Sequence, residues 1–296
     1  MRCLHPIRIK TSDSQYFREM LHYRLGILKY PPYQYQLVPC GKCELCLSKK
    51  RQEWFFRLHN ELINSDSAYF ITLTYNDKNL PLDGRVNKKD TDDFLKRFRK
   101  FISPHQVRYF LVSEYGENFG RPHYHMLLFN FPSCYNIREV LKKTWKKCDD
   151  CIWDLADSVG TVTSASINYV CKYCLSTLDS DDPAEKTFMS NSRRPGIGLG
   201  YLTPAMVRYL KEHCDGRAYC DGRFYALPRY LREKVFDSYE KSKLKNQYFY
   251  EYQQDLEECL NNPHDGIKCG RRVVQQQRDQ ETAIKIRKKL KNGKKG

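Results

Sequence analysis

The chain has 296 residues, 41% of them hydrophobic, enough for a sizeable core and for about two domains at one per ~150 residues. A formal net charge of +16, with 22 Tyr among 14% aromatic residues, points to polyanions as partners, since cations grip phosphates and aromatic rings stack on bases. No apolar run approaches the ~18 residues of a membrane span, Met1–Pro6 has no apolar stretch of the secretion-signal kind, and an odd 13 Cys speaks against a disulfide framework, so a soluble, intracellular protein is expected.

In chain order, residues 1–39 are rich in Tyr and Pro (Tyr30-Pro31-Pro32-Tyr33) and read as irregular. Cys40-Gly41-Lys42-Cys43-Glu44-Leu45-Cys46 then places a cysteine at every third position. Three cysteines at this spacing need a fourth partner to close a structural zinc site; Cys3 is the first candidate and His5 the second. The alternative is a set of reduced, unliganded thiols. From Leu45 to Ile63 apolar residues recur at helical spacing (Trp54, Phe55, Leu58, Leu62), predicting a helix.

Tyr69–Tyr75 is rich in β-branched and aromatic residues and predicts a strand. Thr91-Asp92-Asp93 can start a helix that runs to Phe101 and carries Lys96, Arg97, Arg99 and Lys100. This basic run reads either as one side of a DNA groove or as a solvated face. Val107–Glu114 and His123–Phe129 predict two more strands, and the turn between them, with Gly116 and Gly120, makes them an antiparallel hairpin. Helices are expected at 136–147, at about 165–178 and from Pro204 to His213. Cys148 and Cys151 form a lone pair, and Cys171 and Cys174 read as soft core residues. The loop Arg193-Arg194-Pro195-Gly196-Ile197-Gly198-Leu199-Gly200 reads either as a phosphate-approaching backbone or as a plain surface turn. After about Cys220 the chain turns polar and charged, ending with Lys or Arg at seven of the last 12 positions. That tail would add salt-sensitive affinity for nucleic acid of any sequence.

Alternate side chains of a strand share a face, so His123 and His125 project together while Tyr124 points the other way. The hairpin brings the Glu114 carboxylate beside them. Two His and one carboxylate leave coordination positions open, as a metal that must bind phosphate requires. Tyr169 and Tyr173 are four residues apart, hence on one face of a helix. A phenolate can form a phosphotyrosine intermediate, and Lys172 can lower the pKa of Tyr169 or contact the phosphate. By spacing alone such an aromatic pair reads as core packing; the metal clamp makes the catalytic reading competitive.

Phe70-Ile71-Thr72-Leu73-Thr74-Tyr75, Arg121-Pro122-His123-Tyr124-His125 and Tyr169-Val170-Cys171-Lys172-Tyr173 resemble, in this order, the three motifs of the HUH endonucleases that initiate rolling-circle replication. Glu114-Tyr115-Gly116-Glu117 resembles the segment carrying their third metal ligand. The likeness extends from Val38 to Gly198 and points to the initiators of microviruses, small single-stranded DNA bacteriophages, and particularly to the gokushovirus group.

The resemblance implies an α+β HUH endonuclease fold, a central antiparallel sheet flanked by helices with the His pair on a central strand. To this the sequence adds an N-terminal Cys-rich segment with its helix (1–65), the endonuclease domain (66–215) and a charged C-terminal extension with a basic tail (216–296). Mg²⁺ or Mn²⁺ is the implied metal at the His pair, with Zn²⁺ at the N-terminal cysteines. Tyrosine nucleophiles would nick single-stranded or supercoiled viral origin DNA in the cytoplasm of a bacterial host, leaving a 3′-OH for host polymerase. A second tyrosine would end the round and let the strand be rejoined. No Gly-x4-Gly-Lys-Ser/Thr motif is present, so unwinding would fall to a host helicase. Arg121, Arg193, Arg194, Lys96 and Arg97 are candidate DNA contacts. A plasmid initiator or transposase of the same group stays open, as does a non-catalytic zinc-dependent nucleic-acid-binding protein.

Overall fold

A computed structural model describes residues 3, 7–32, 34–116, 120–176, 187–213, 216–244, 246 and 285. Among them the chain divides into two compact units: residues 1–49, 202–219 and 224–296, and residues 50–201 with 220–223.

In the first unit, strand β1 (Ile7–Lys10) pairs antiparallel with β2 (Tyr35–Val38), Ile7 opposite Val38 and Lys10 opposite Tyr35. Between them runs helix α1 (Asp13–Arg24), capped by Ser12, whose hydroxyl accepts the Gln15 amide. The expectation of an irregular N-terminus is thus corrected. Helical periodicity fails there because α1 inverts the usual pattern, exposing Phe17 and Leu21 while burying Glu19, whose carboxylate accepts from Gln15 at 2.8 Å. The unit also holds the first turn of α2 (Glu44–Ile63), α6 (Pro204–His213) and α7 (Arg229–Val235). Helix α6 has the bounds the sequence predicted. A short hairpin, β8 (Arg217–Cys220) and β9 (Arg223–Ala226), turns through Asp221 and Gly222, both with positive φ. The polar stretch after Cys220 therefore begins with regular structure, β9 and α7. The basic tail from Lys285 to Lys295 lies, but for Lys285, outside the described residues, as does His5.

The second unit is built on a five-stranded antiparallel sheet. Its strands are β3 (Ala68–Leu73), β4 (Arg108–Tyr115), β5 (Pro122–Phe129), β6 (Val159–Thr161) and β7 (Met189–Asn191), in the order β6-β3-β5-β4-β7. The predicted hairpin is β4–β5, and β5 is the central strand. One face is covered by α3 (Lys88–Phe101) and α4 (Ile137–Thr144), which enclose Ile71, Leu73, Leu111, Tyr124, Met126 and Leu128 with Phe94, Phe98, Val140, Leu141, Trp145 and Trp153. Burying each such large side chain stabilises the fold by roughly 1.5–3 kcal/mol. The other face carries Phe70, Thr72, Phe110, Val112, Glu114, His123 and His125. Trp54 of α2 packs on Phe110 at 4.8 Å between ring centroids, and Tyr169 of α5 (Ser164–Ser176) packs on Phe70 at 6.2 Å.

Helix α3 starts one turn before the expected Thr91. Asn87 sits at its N-cap and its side chain accepts the amides of Lys89 and Asp90, while Thr91 is fully buried inside the helix. The 193–200 loop packs on α2. Gly198 (φ +79°) donates its amide to Glu61 at 2.7 Å, and a Cβ there would lie 2.8 Å from the Arg57 backbone. Glu61 also holds Arg108, and Arg57 donates to the Ile197 carbonyl at 3.0 Å. These contacts answer the question left by the glycine spacing: Gly198 serves close packing against a helix.

Candidate metal and tyrosine site

The site sits on the β5 face away from α3. Strand register places Glu114 directly opposite His123 and Thr72 directly opposite His125, pairs whose Cβ atoms lie about 5 Å apart in antiparallel sheets. Tyr124, between the two histidines, points through the sheet into the core. It is fully buried there, its hydroxyl bonded to Tyr75 (2.9 Å) and to the amide and carbonyl of Asn87 (2.7 and 3.1 Å). The intervening residue thus anchors the strand while its neighbours face the site.

Glu114 Oε2 lies 2.8 Å from His125 Nε2 and 3.5 Å from His123 Nε2. The ligand-capable atoms of all three residues fall within 4.8 Å of one another, so this group could hold a metal ion. His123 Nδ1 faces the Arg121 carbonyl at 3.2 Å. A carbonyl only accepts, so Nδ1 carries the proton and Nε2 presents its lone pair. His125 Nδ1 is paired with the Thr72 hydroxyl at 3.2 Å, and Phe70 stacks on its ring at 5.3 Å. Glu114 Oε2 and His125 Nε2 are buried and, close as they are, make no hydrogen bond of acceptable geometry. Converging, buried and unsatisfied donor atoms are what an ion would satisfy.

Electrostatics agree. Burial pushes the Glu114 carboxyl up, but the polar hydrogens of His123, His125 and Tyr173 beside it more than reverse this and hold it at about 2. Burial lowers His125. For His123 burial also acts downward, and the proximity and charge of Glu114 outweigh it, so the net shift is upward. Glu114 is therefore an anion across the physiological range.

Helix α5 lays its tyrosines over this cluster. The Tyr169 ring is 5.2 Å from His125 and 5.0 Å from Tyr173, and Tyr173 stacks on His125 at 6.0 Å. The two are not equivalent. Tyr169 is 40% exposed, whereas Tyr173 is 9% exposed. Burial, then the neighbouring Glu114 and Tyr169, pushes the Tyr173 hydroxyl well above its ordinary value. Lys172 Nζ stands 5.6 Å from the Tyr173 ring centre. Sequence reasoning did not single out Thr72 as a partner of His125, nor Arg51, whose guanidinium donates to the Asn168 carbonyl at 3.4 Å, beside Tyr169. Both depend on register and helix packing, which no local spacing encodes.

The candidate DNA contacts scatter. Lys96 and Arg97 lie on α3, over the opposite sheet face; Arg97 donates to the Thr144 carbonyl at 2.9 Å and Lys96 lies 3.7 Å from Asp93. Arg121 is bound to Asp77 at 2.6 Å and to the Tyr75 carbonyl at 3.0 Å. Arg193 and Arg194 are exposed.

Away from this site, Cys3, Cys40, Cys43 and Cys46 form a second group that could hold a metal. Cys148, half-buried, and Cys151, exposed, join no such group among the described residues. No helix among the described residues is long and apolar enough to cross a membrane.

An antiparallel sheet presenting a carboxylate and two histidines beneath a tyrosine-bearing helix is an arrangement suited to acting on phosphodiesters, and comparison with known proteins gives the class. Residues 68–178, which carry Glu114, both histidines and both tyrosines, match a family model described as replication-associated protein ORF2. The chain is similar to the replication-associated protein ORF2 of Spiroplasma virus 4, 28% identical over 233 residues, 72% of this chain and 73% of that protein. It is 26% identical over 223 residues to the replication-associated protein VP4 of Bdellovibrio phage phiMH2K, covering 68% of this chain and 67% of that one. It is also 26% identical over 226 residues to the replication-associated protein ORF4 of Chlamydia phage 1, covering 66% and 53%. No solved structure matches. The likeness read from the ordered motifs is borne out as a likeness to phage replication-associated proteins.

Proposed function

We propose that the chain is a replication initiator endonuclease of the HUH type that nicks single-stranded origin DNA through a 5′-phosphotyrosine. The observation that carries this reading is the convergence of Glu114, His123 and His125 on one buried spot with the Tyr169 ring 5.2 Å from His125. Glu114 with the two Nε2 atoms would hold Mg²⁺ or Mn²⁺. Cis ligands of an octahedral ion with ~2.1 Å bonds lie about 3 Å apart, a spacing bracketed by the 2.8 and 3.5 Å separations here. When bound, the ion supplies charge that polarises the scissile phosphate.

The chain's own residues do the rest. The Tyr169 oxygen gives up its proton and bonds to phosphorus, and the bond from phosphorus to the 3′ oxygen breaks. That oxygen takes up a proton and leaves as a 3′-OH primer. Tyr169 acts first in this scheme because it is the more exposed of the pair, while Tyr173 is held against Glu114 until a second cut. Lys172 supplies a cation beside the pair, and Arg51, Arg193 and Arg194 are cations for the strand's phosphates. Phage origin DNA, host polymerase and helicase are the partners this reading requires, and the bacterial cytoplasm is its place of action.

The test is incubation of the full chain with single-stranded origin DNA and Mn²⁺ or Mg²⁺, then a denaturing gel. A protein–DNA adduct lost in Tyr169→Phe/Tyr173→Phe is expected. A folded protein that forms no adduct with either ion overturns the reading.

A further inference from the structure

The cysteine cluster of the first unit has no part in nicking, and its geometry is specific. We propose that Cys3, Cys40, Cys43 and Cys46 form a closed tetrathiolate Zn²⁺ site that staples the open end of the β1–β2 ribbon.

Zinc bonds thiolate sulfur at about 2.3 Å in a tetrahedron, which sets the sulfurs about 3.8 Å apart. Here the Cys3 and Cys43 sulfurs are 3.7 Å apart and those of Cys40 and Cys46 are 4.0 Å apart, with all four within 4.8 Å of one another. These distances are far too long for a disulfide bond of about 2.05 Å, and all four cysteines are free. They are also too short for the sulfurs to enclose several metal atoms, so the space fits one ion.

The surrounding backbone is built for thiolate charge. The amides of Lys42 and Cys43 donate to Cys40 Sγ at 3.4 and 3.3 Å, and the Cys40 amide donates to Cys3 Sγ at 3.2 Å. The turn that aims the first two amides passes through Gly41 at φ +77°, where a side chain is strained although no atom lies within 4 Å of a Cβ. Four soft sulfur donors with no open position select zinc over magnesium or manganese and leave no room for catalysis. Binding displaces the thiol protons to solvent.

The placement explains the purpose. Cys3 precedes β1 by four residues and Cys40 follows β2 by two, so the ion would close the ribbon just beyond the Ile7–Val38 pair and fasten it, through Cys46, to the first turn of α2. A two-stranded ribbon is marginal without such support.

The test uses the full chain carrying His123→Ala and His125→Ala, so that the other candidate site adds no metal. The protein is reduced, supplied with Zn²⁺, dialysed and analysed by elemental mass spectrometry. One zinc per chain is expected, falling to near zero when Cys40→Ser and Cys46→Ser are added. Because those variants can fail by misfolding, the cysteine-intact protein is also titrated with Co²⁺, where the intense absorption of a tetrahedral thiolate centre is expected. Removing the ion should speed amide exchange at Ile7–Lys10 and Tyr35–Val38 at least tenfold while leaving β3, β4 and β5 unchanged. No zinc in the cysteine-intact protein, an unchanged count in the serine variants, iron instead of zinc, or a weak octahedral cobalt spectrum each overturns the proposal. None of these outcomes bears on whether the chain nicks DNA.

Discussion

Replacing Tyr124 by Phe separates the two faces of the strand that carries the histidines. The change removes one oxygen from a fully buried ring and leaves the Asn87 amide and carbonyl and the Tyr75 hydroxyl without that partner. Tyr75 retains its bond to Asp90 at 2.9 Å, so the main loss is at Asn87, the residue that caps α3. One or two buried groups left unsatisfied, at about 1–3 kcal/mol each, give an expected loss of about 2–4 kcal/mol. The three tryptophans, Trp54, Trp145 and Trp153, all lie in the second unit, so tryptophan fluorescence in urea reports that unit's unfolding by itself. The midpoint should fall with the slope unchanged. Metal-dependent adduct formation, measured well below the transition, should stay within about twofold. A variant of normal stability that has lost adduct formation more than tenfold would refute the assignment of Tyr124 to the core and the histidines to the chemistry.

Other outcomes follow from the same geometry. Glu114→Gln keeps the shape but removes the buried anion, and should lower adduct formation at least about 100-fold while DNA binding by gel shift changes little. In metal-free protein, Glu114 is held at about 2 against an ordinary value of 4.5. A depressed carboxyl contributes stability that is present above 4.5 and lost as pH falls from 4.5 towards 2, on the order of 3 kcal/mol. The fluorescence midpoint should drop through that window, less steeply in Glu114→Gln; equal slopes would sink the assignment. Gly198→Ala meets both a positive φ and the Arg57 backbone at 2.8 Å, and should cost about 2 kcal/mol or more in the same urea assay. Tyr169→Phe should suppress the first adduct more than Tyr173→Phe, because Tyr173 is buried against Glu114; the reverse order on a time-resolved gel would assign the first cut to Tyr173.

Much of the site was legible because its signals are local. Period-two alternation set His123 and His125 on one face and Tyr124 on the other, and a short turn tied Glu114 to them. Period 3.6 put Tyr169 and Tyr173 together. The Cys40–Cys46 spacing named three ligands and the lack of a fourth. Where local signals conflicted with tertiary contacts, the reading failed: α1 buries a glutamate and exposes apolar residues, and Asn87, not Thr91, caps α3. Only the fold decided that Thr72 would sit opposite His125, that α5 would lie over the β5 face, and that Lys96 and Arg97 would lie on the far side of the sheet. Strand register and the choice of face depend on which residues meet across long stretches of chain, and that is determined by packing of the whole core. The residues able to bind metal were thus written in the sequence, while their convergence on Glu114 and the approach of Tyr169 came from the tertiary structure.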